Sequence, residues 1–206
     1  TGGHIFPALA VAESVRELVP ECRILFVGGE RGPEKIWAER MGLEFAALPA
    51  RGVVGRGVKS FGMILWLGKS LFHAWKLLRE FRPDVVLGLG GYAGFSTVLA
   101  ASFMRIPTAI HEQNSVPGIT NRVLAKFVDK ILVSFANMSA DAFPAKNIEV
   151  SGNPIRGRIR LLRDAQRSAG KNILIVGGSQ GASALNKFMV RDIDTFRGHG
   201  IKIWHQ

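Results

Sequence analysis

The sequence is poor in the residues that staple a chain or hold a metal. Its single cysteine, Cys22, excludes an intramolecular disulfide and leaves no cysteine cluster for zinc, which suits a reducing compartment. A buried structural thiol is its expected role. Acidic residues are scarce: 16 Asp and Glu stand against 27 Lys and Arg, a net charge of +11 at pH 7 with a pI near 10.5. That excess attracts polyanions, whether nucleic acid, anionic lipid or phosphorylated substrates, without choosing among them. No recognisable RNA- or DNA-binding motif accompanies it, and the basic residues are scattered apart from the cluster RGRIRLLRDAQRSAGK, so nucleic acid is not an expected partner. The sequence also has no low-complexity tract, no visible signal peptide, no compact Asp/Glu/His cluster for a metal and no apolar run long enough to span a bilayer.

What remains, 47% hydrophobic and 21% charged over 206 residues, describes a soluble globular chain with room for one large or two modest α/β domains. Its organising stretch is KNILIVGGSQGASALN, Lys171 to Asn186. Ile173 to Val176 is a short apolar run rich in β-branched residues, which reads as a strand buried on both faces of a parallel sheet. Gly177 and Gly178 supply a turn, Ser179 is a good N-cap, and Ala182 to Met189 has the composition of a helix start. Strand, glycine turn and helix N-terminus together aim N–H groups at one spot where a phosphate can sit. The loop is not a P-loop, because no Gly-Lys-Ser/Thr follows, and Val176 stands where a nicotinamide fingerprint needs its first glycine. Packing alone also explains such glycines, but two more glycine turns recur, GLGGYAG at Gly88 to Gly94 and TGGHIFP at the start of the chain.

The chain repeats one unit. Pro7 suits a first helical turn, and Ala8 to Val19 carries apolar residues at helical spacing until Pro20. Strands are expected at Arg23 to Val27, Glu44 to Leu48, Val85 to Leu87, Thr108 to Ile110, Lys130 to Val133, Ile148 to Val150 and Ile201 to Trp204. Short helices are expected at Pro33 to Met41, Phe95 to Met104 and Gly118 to Phe127. This alternation predicts a mostly parallel, doubly wound α/β architecture. The turn SGNPIR at Ser151 to Arg156 is the natural domain boundary. Thr1 opens on a glycine turn with no strand before it, and the last strand stops at Gln206 without its helix; a fragment cut at both ends is the expectation.

With these residues assembled, a family resemblance emerges. TGGHIFPALAVA at Thr1 to Ala12, GGYAG at Gly90 to Gly94, HEQNSVPGITNR at His111 to Arg122, GNPIR at Gly152 to Arg156 and GGSQGA at Gly177 to Ala182 resemble, in order and over essentially the whole chain, the motifs of the MurG family. The resemblance implies a GT-B fold of two Rossmann-like domains: residues 1–156 as the acceptor- and membrane-side domain without its first strand, and 157–206 as the truncated start of the donor domain. It implies an inverting glycosyltransferase that moves N-acetylglucosamine from UDP-N-acetylglucosamine to the 4-hydroxyl of the N-acetylmuramyl unit of lipid I, forming lipid II. No cofactor is implied. The implied partners are the donor, the lipid acceptor, an anionic membrane surface at the cytoplasmic face and other cell-wall synthesis proteins. Residues that select the base and sugar are expected beyond Gln206, so the fragment alone should not catalyse transfer. Rival readings are another GT-B enzyme using a UDP-sugar, such as a UDP-N-acetylglucosamine 2-epimerase, and a basic α/β nucleic-acid-binding protein without catalysis.

Carried over residue by residue, the resemblance assigns Thr1, Gly2 and Gly3 to the loop around the donor's phosphates, Asn114 to a sugar contact, Arg156 and Ser179 to the diphosphate, and Gly90, Gly91, Tyr92 and His111 to an acceptor or phosphate loop. A guanidinium suits phosphate oxygens, and stabilising the departing UDP in this way can substitute for a metal ion. His4 is the candidate base for the acceptor hydroxyl, since imidazole titrates in the useful range. A capping or phosphate-contacting His4 is the other reading, with His111 and Glu112 competing for the base role; the alternative for Glu112 is that it holds the loop or the acceptor.

Lys59 to Arg82 is the last informative stretch. Phe61, Ile64, Leu65, Leu71, Phe72 and Trp75 follow helical spacing, as a buried face would, yet Met63, Trp66 and Leu67 make its first turns apolar nearly all round. An interfacial membrane segment through Phe61, Trp66, Lys69, Trp75 and Lys76 is the favoured reading, against a helix packed wholly in the protein.

Overall fold

The structure, a computed structural model, describes residues 2–30, 32–49, 61–136, 143, 147–162, 170–178 and 181–206, with the backbone alone at 61–64. Thr1, Lys59 and Ser179 therefore lie outside the described residues, as does the side chain of Phe61. The chain divides into two units, Thr1–Arg160 and Leu161–Gln206. The division falls after the expected boundary at Arg156, and the reason is local: the Gly157 N–H donates to Glu13 Oε2 at 2.8 Å, and Arg160 lies 4.0 Å from Glu17, so the turn stays with the first unit.

That unit opens with α1, Gly2–Leu18. Ile5, Leu9 and Ala12 recur at helical spacing and are buried against Ala38 and Leu43. The helix begins well before Ala8, and Pro7 lies inside it. What reads as a glycine turn at the start of the chain is thus a helical first turn. Pro7 is close enough to the N-terminus that only the bond to the Gly3 carbonyl is lost. Next come β1, Leu25–Gly29, α2, Glu34–Arg40, and β2, Glu44–Leu48. The two strands pair in parallel, Leu25 with Glu44 through Gly29 with Leu48. Cys22, just before β1, is exposed rather than buried, because it sits in the turn that follows α1 and not in an apolar element.

The helix α3, Phe61–Phe81, leads to β3, Val86–Gly88, α4, Gly91–Phe103, β4, Thr108–Glu112, α5, Ile119–Leu124, β5, Lys130–Val133, and β6, Ile148–Val150. These strands form a four-stranded sheet in the order β3-β4-β5-β6, parallel throughout. The core runs through Val98, Ile110, Leu124, Ile131 and Val133. At the strand beginnings, Asp129 Oδ2 accepts the Thr108 N–H at 2.8 Å and its hydroxyl at 3.0 Å. This ties the amino-terminal ends of the two central strands together. A short basic turn, α6, Gly157–Leu161, follows.

Of the large residues of α3 at helical spacing, Leu71 packs against the core, but several others face outward. Ser70 and Ala74 are fully buried and Leu78 nearly so, whereas Leu65 and Phe72 are each 61% exposed and Trp75 is 40% exposed. Small residues let α3 approach α4 closely, where the Ser70 hydroxyl donates to Ser96 at 2.8 Å in the buried seam. The displaced aromatics stack on one another outside, Phe72 on Trp75 at 6.2 Å, with the Arg79 guanidinium 4.8 Å over the Trp75 ring. Lys69 and Lys76 are exposed beside them and Trp66 is half-buried. Among the described residues, no helix is long and apolar enough to cross a membrane.

The second unit is one βαβ crossover: β7, Asn172–Ile175, α7, Ser183–Gly198, and β8, Lys202–His205, with the strands parallel. The N-cap of α7 is Ala182, not Ser179. Leu174 is 70% exposed, so β7 is not buried on both faces in this unit: a single crossover helix covers one face of a two-stranded sheet. Gly177 is sterically required, since a Cβ there would lie 2.7 Å from the Ala182 nitrogen.

Candidate active site

At the carboxyl ends of β3, β4 and β6, where open α/β sheets bind ligands, four segments of the first unit meet. The first is the opening turn of α1. The second is the start of α4, where the strand-to-helix connection is only Leu89 and Gly90; GLGGYAG is mostly strand end and first helical turn, not an open loop. Neither first turn carries an acidic side chain, and both offer N–H groups that a helix cannot satisfy internally. The third is the end of β4, which continues past Ile110 because His111 and Glu112 stay in register with Leu132 and Val133. The fourth is the turn from Ser151 to Arg156.

His4 holds the centre. Its ring lies against Gly90, where φ is +97° and a Cβ would come within 2.8 Å of His4 Cε1. Only glycine meets both demands. His4 Nδ1 lies 3.2 Å from Gln113 Oε1, and the Gln113 amide nitrogen lies 3.1 Å from the Leu89 carbonyl and 3.2 Å from His111 Nδ1. His111 Nε2 in turn lies 2.9 Å from the Gly152 carbonyl. One amide therefore joins α1, the α4 connection and β4, and His111 extends the chain to the turn before Arg156. Gly91 (φ +78°) and half-buried Tyr92 complete the α4 start.

Glu112 has a different task. It is 2% exposed and accepts four hydrogen bonds: from the Asn114 N–H at 3.0 Å, Asn114 Nδ2 at 3.0 Å, the Gly118 N–H at 3.1 Å and Asn121 Nδ2 at 2.8 Å. Burial opposes its charge, but these donors outweigh it, and its pKa falls below the ordinary carboxylate value. A carboxylate so saturated is a poor proton acceptor. It organises the 112–118 loop and orients the exposed Asn114 instead.

Arg156 is exposed, with its guanidinium 4.7 Å over the Phe6 ring. That ring leans edge-on against Trp37 and lies 3.4 Å from where a Gly2 Cβ would be. The cation is thus placed beside the first turn of α1. Gly2, Gly3, His4, Gly90, Gly91, Tyr92, His111, Glu112 and Asn114 share this end of the sheet with it. Gln113 and Asn121 escaped the sequence reading of roles, although an amide standing two residues from His111 within HEQN was the available signal. Among the described residues, no group of three or more His, Cys, Asp or Glu side chains could hold a metal ion.

The Glycosyltransferase family 28 N-terminal domain matches residues 1–133. The chain belongs to this family. It is 46% identical over its whole length to the UDP-N-acetylglucosamine--N-acetylmuramyl-(pentapeptide) pyrophosphoryl-undecaprenol N-acetylglucosamine transferase of Nitratidesulfovibrio vulgaris (strain DP4), covering 57% of that protein. Among solved structures it is similar to MurG from Acinetobacter baumannii, at 30% identity and a TM-score of 0.71, covering all of this chain and 55% of that one. UDP-GlcNAc 2-epimerase from Neisseria meningitidis superposes with a TM-score of 0.66 over all of this chain and 63% of its own, at 12% identity. At that identity the likeness is one of fold alone. The family 28 chain thus has the α/β, GT-B class of fold, and it spans a little over half the length of the curated relatives it matches.

Proposed function

We propose that the whole protein is an inverting glycosyltransferase that moves N-acetylglucosamine from UDP-N-acetylglucosamine to the 4-hydroxyl of the N-acetylmuramyl unit of lipid I. The observation that carries this reading is His4 held against Gly90 by Gln113, in a chain 46% identical throughout to a transferase of that name. The acceptor oxygen attacks the anomeric carbon as the bond from that carbon to the diphosphate oxygen breaks; His4 takes the hydroxyl proton and UDP leaves with the bonding pair. Arg156 and the first turns of α1 and α4 stabilise the negative charge gathering on the diphosphate. Asn114, oriented by Glu112, contacts the sugar. The exposed Phe72, Trp75, Lys69 and Lys76 of α3 rest on the anionic cytoplasmic surface where a polyprenyl-linked acceptor resides.

His4→Ala in the full-length protein tests the assignment. It should lower kcat by roughly 10²- to 10⁴-fold with donor affinity nearly intact, because proton transfer belongs to the transition state. Lost donor binding with a normal residual kcat would make His4 a phosphate contact instead.

A further inference from the structure

We propose that Gln113 is a positioning residue that locks the two site histidines in opposite tautomers, His4 as Nδ1–H and His111 as Nε2–H. The inference rests on the reading of His4 as the base only for its catalytic consequence; the lock itself stands on hydrogen-bond geometry.

The orientation of the amide follows from its surroundings. Gln113, 9% exposed, has one end within 3.1 Å of the Leu89 carbonyl and 3.2 Å of the His111 carbonyl. Two carbonyl oxygens accept and never donate, so that end must be the NH₂ group. The other end is then the oxygen, and the nitrogen facing it at 3.2 Å, His4 Nδ1, must carry a proton. In a neutral imidazole this leaves the lone pair on Nε2 of His4.

The second histidine is fixed from two sides. His111 Nε2 faces the Gly152 carbonyl at 2.9 Å and must donate to it. Its Nδ1 then holds the lone pair, which is what the Gln113 NH₂ at 3.2 Å requires. Flipping the amide would set oxygen against both carbonyls and against the His111 lone pair, so only the unflipped assignment fits, its two hydrogens shared among the three acceptors. A neutral amide does this without adding charge: as His4 gains the acceptor's proton on Nε2, its Nδ1–H keeps the same acceptor, and the ring need not turn during the reaction.

The test is long-range ¹H–¹⁵N NMR of histidine side chains in the full-length protein labelled with ¹⁵N-histidine, together with steady-state kinetics. In the native protein, at a pH where the rings are neutral, His4 should show a protonated Nδ1 and His111 a protonated Nε2. Gln113→Met keeps the length of the side chain and removes both partners. It should move His4 toward the Nε2–H form that unconstrained histidine favours, and lower kcat by roughly 10- to 100-fold, less than loss of the base itself, with the donor KM unchanged. A native His4 found as Nε2–H overturns the proposal without any variant, which keeps it decidable should Gln113→Met fail to fold. A folded Gln113→Met protein with both tautomers unchanged overturns it too. If the tautomer shifts while kcat holds, the lock is supported and it is the reading of His4 as base that falls.

Discussion

Glu112→Gln isolates what the buried carboxylate does. The side chain is isosteric, but one oxygen becomes an NH₂ group and must face two of the four donors now bound to Glu112. Turned toward Gly118 and Asn121, it would set donor against donor beside an Asn121 that is 2% exposed. Turned toward Asn114, which is exposed, it loses two bonds whose donors water can recover. The amide should choose the second orientation. Hydrogen bonds to a charged group are each worth about 1.5 to 3 kcal/mol, so with water returning the loss should lie near the low end of their sum, about 3 kcal/mol. The pH dependence has a definite sign. The pKa of Glu112 is lowered by folding, so its contribution is fully present above the ordinary value of 4.5 and drains away as pH falls through the folded-state pKa. Urea unfolding of this 206-residue chain in a Trp204→Phe background reports on the first unit, because the other tryptophans of these residues, Trp37, Trp66 and Trp75, all lie there. Native protein should lose its advantage over Glu112→Gln progressively below pH 4.5. A variant within about 0.5 kcal/mol of native at pH 7, or a difference that persists undiminished at the lowest pH where both fold, refutes this account of the loop.

Three further outcomes follow from the same site and its flank. Arg156→Ala in the full-length protein should weaken UDP and UDP-N-acetylglucosamine alike by about 1.5 to 3 kcal/mol; calorimetry with unchanged UDP affinity removes Arg156 from the diphosphate. Gly90→Ala places a methyl within 2.8 Å of the His4 ring at φ +97°, and a displacement of about 1 Å costs on the order of 10²-fold in rate, so kcat should fall by that order while urea unfolding changes by only about 1 to 3 kcal/mol; wild-type kcat would mean that the ring does not need its present seat. Trp75→Glu, or charge reversal at Lys69 and Lys76 together, should release full-length protein from anionic vesicles and cut turnover of a long-chain lipid acceptor while sparing a short soluble one; unchanged vesicle binding places the membrane face elsewhere.

The repeating α/β unit was legible because parallel strands leave short, mostly apolar runs between turn signals, and Glu44–Leu48, Lys130–Val133 and Ile148–Val150 are found where they were expected, although β6 is exposed along its length. Boundaries near glycine were not. Gly2, Gly3 and Gly91 read as turn residues, yet they lie in first helical turns; of the three only Gly91, at φ +78°, needs the backbone freedom of glycine. The extension of β4 was hidden for another reason. His111 and Glu112 break the apolar run, but each is 2% exposed, because hydrogen bonds rather than apolar contacts settle them in the interior.

The face of α3 shows where hydrophobic periodicity misleads. Leu65, Phe72 and Trp75 carry the strongest apolar signal at helical spacing, and Ser70 and Ala74 the weakest, yet the weak set packs inward. Periodicity ranks residues by transfer free energy, whereas the α3–α4 seam is decided by how near two backbones come, and small side chains win there. The candidate site follows a similar logic. The motif residues could be named from the sequence, but the relation between them could not, because His4 meets Gln113 across 109 residues, and nothing local marks a glutamine as the acceptor of a distant imidazole. What a motif conveys is which side chains are available. Which nitrogen of His4 is left basic is decided by the carbonyls of Leu89 and His111, backbone groups that no motif spells out.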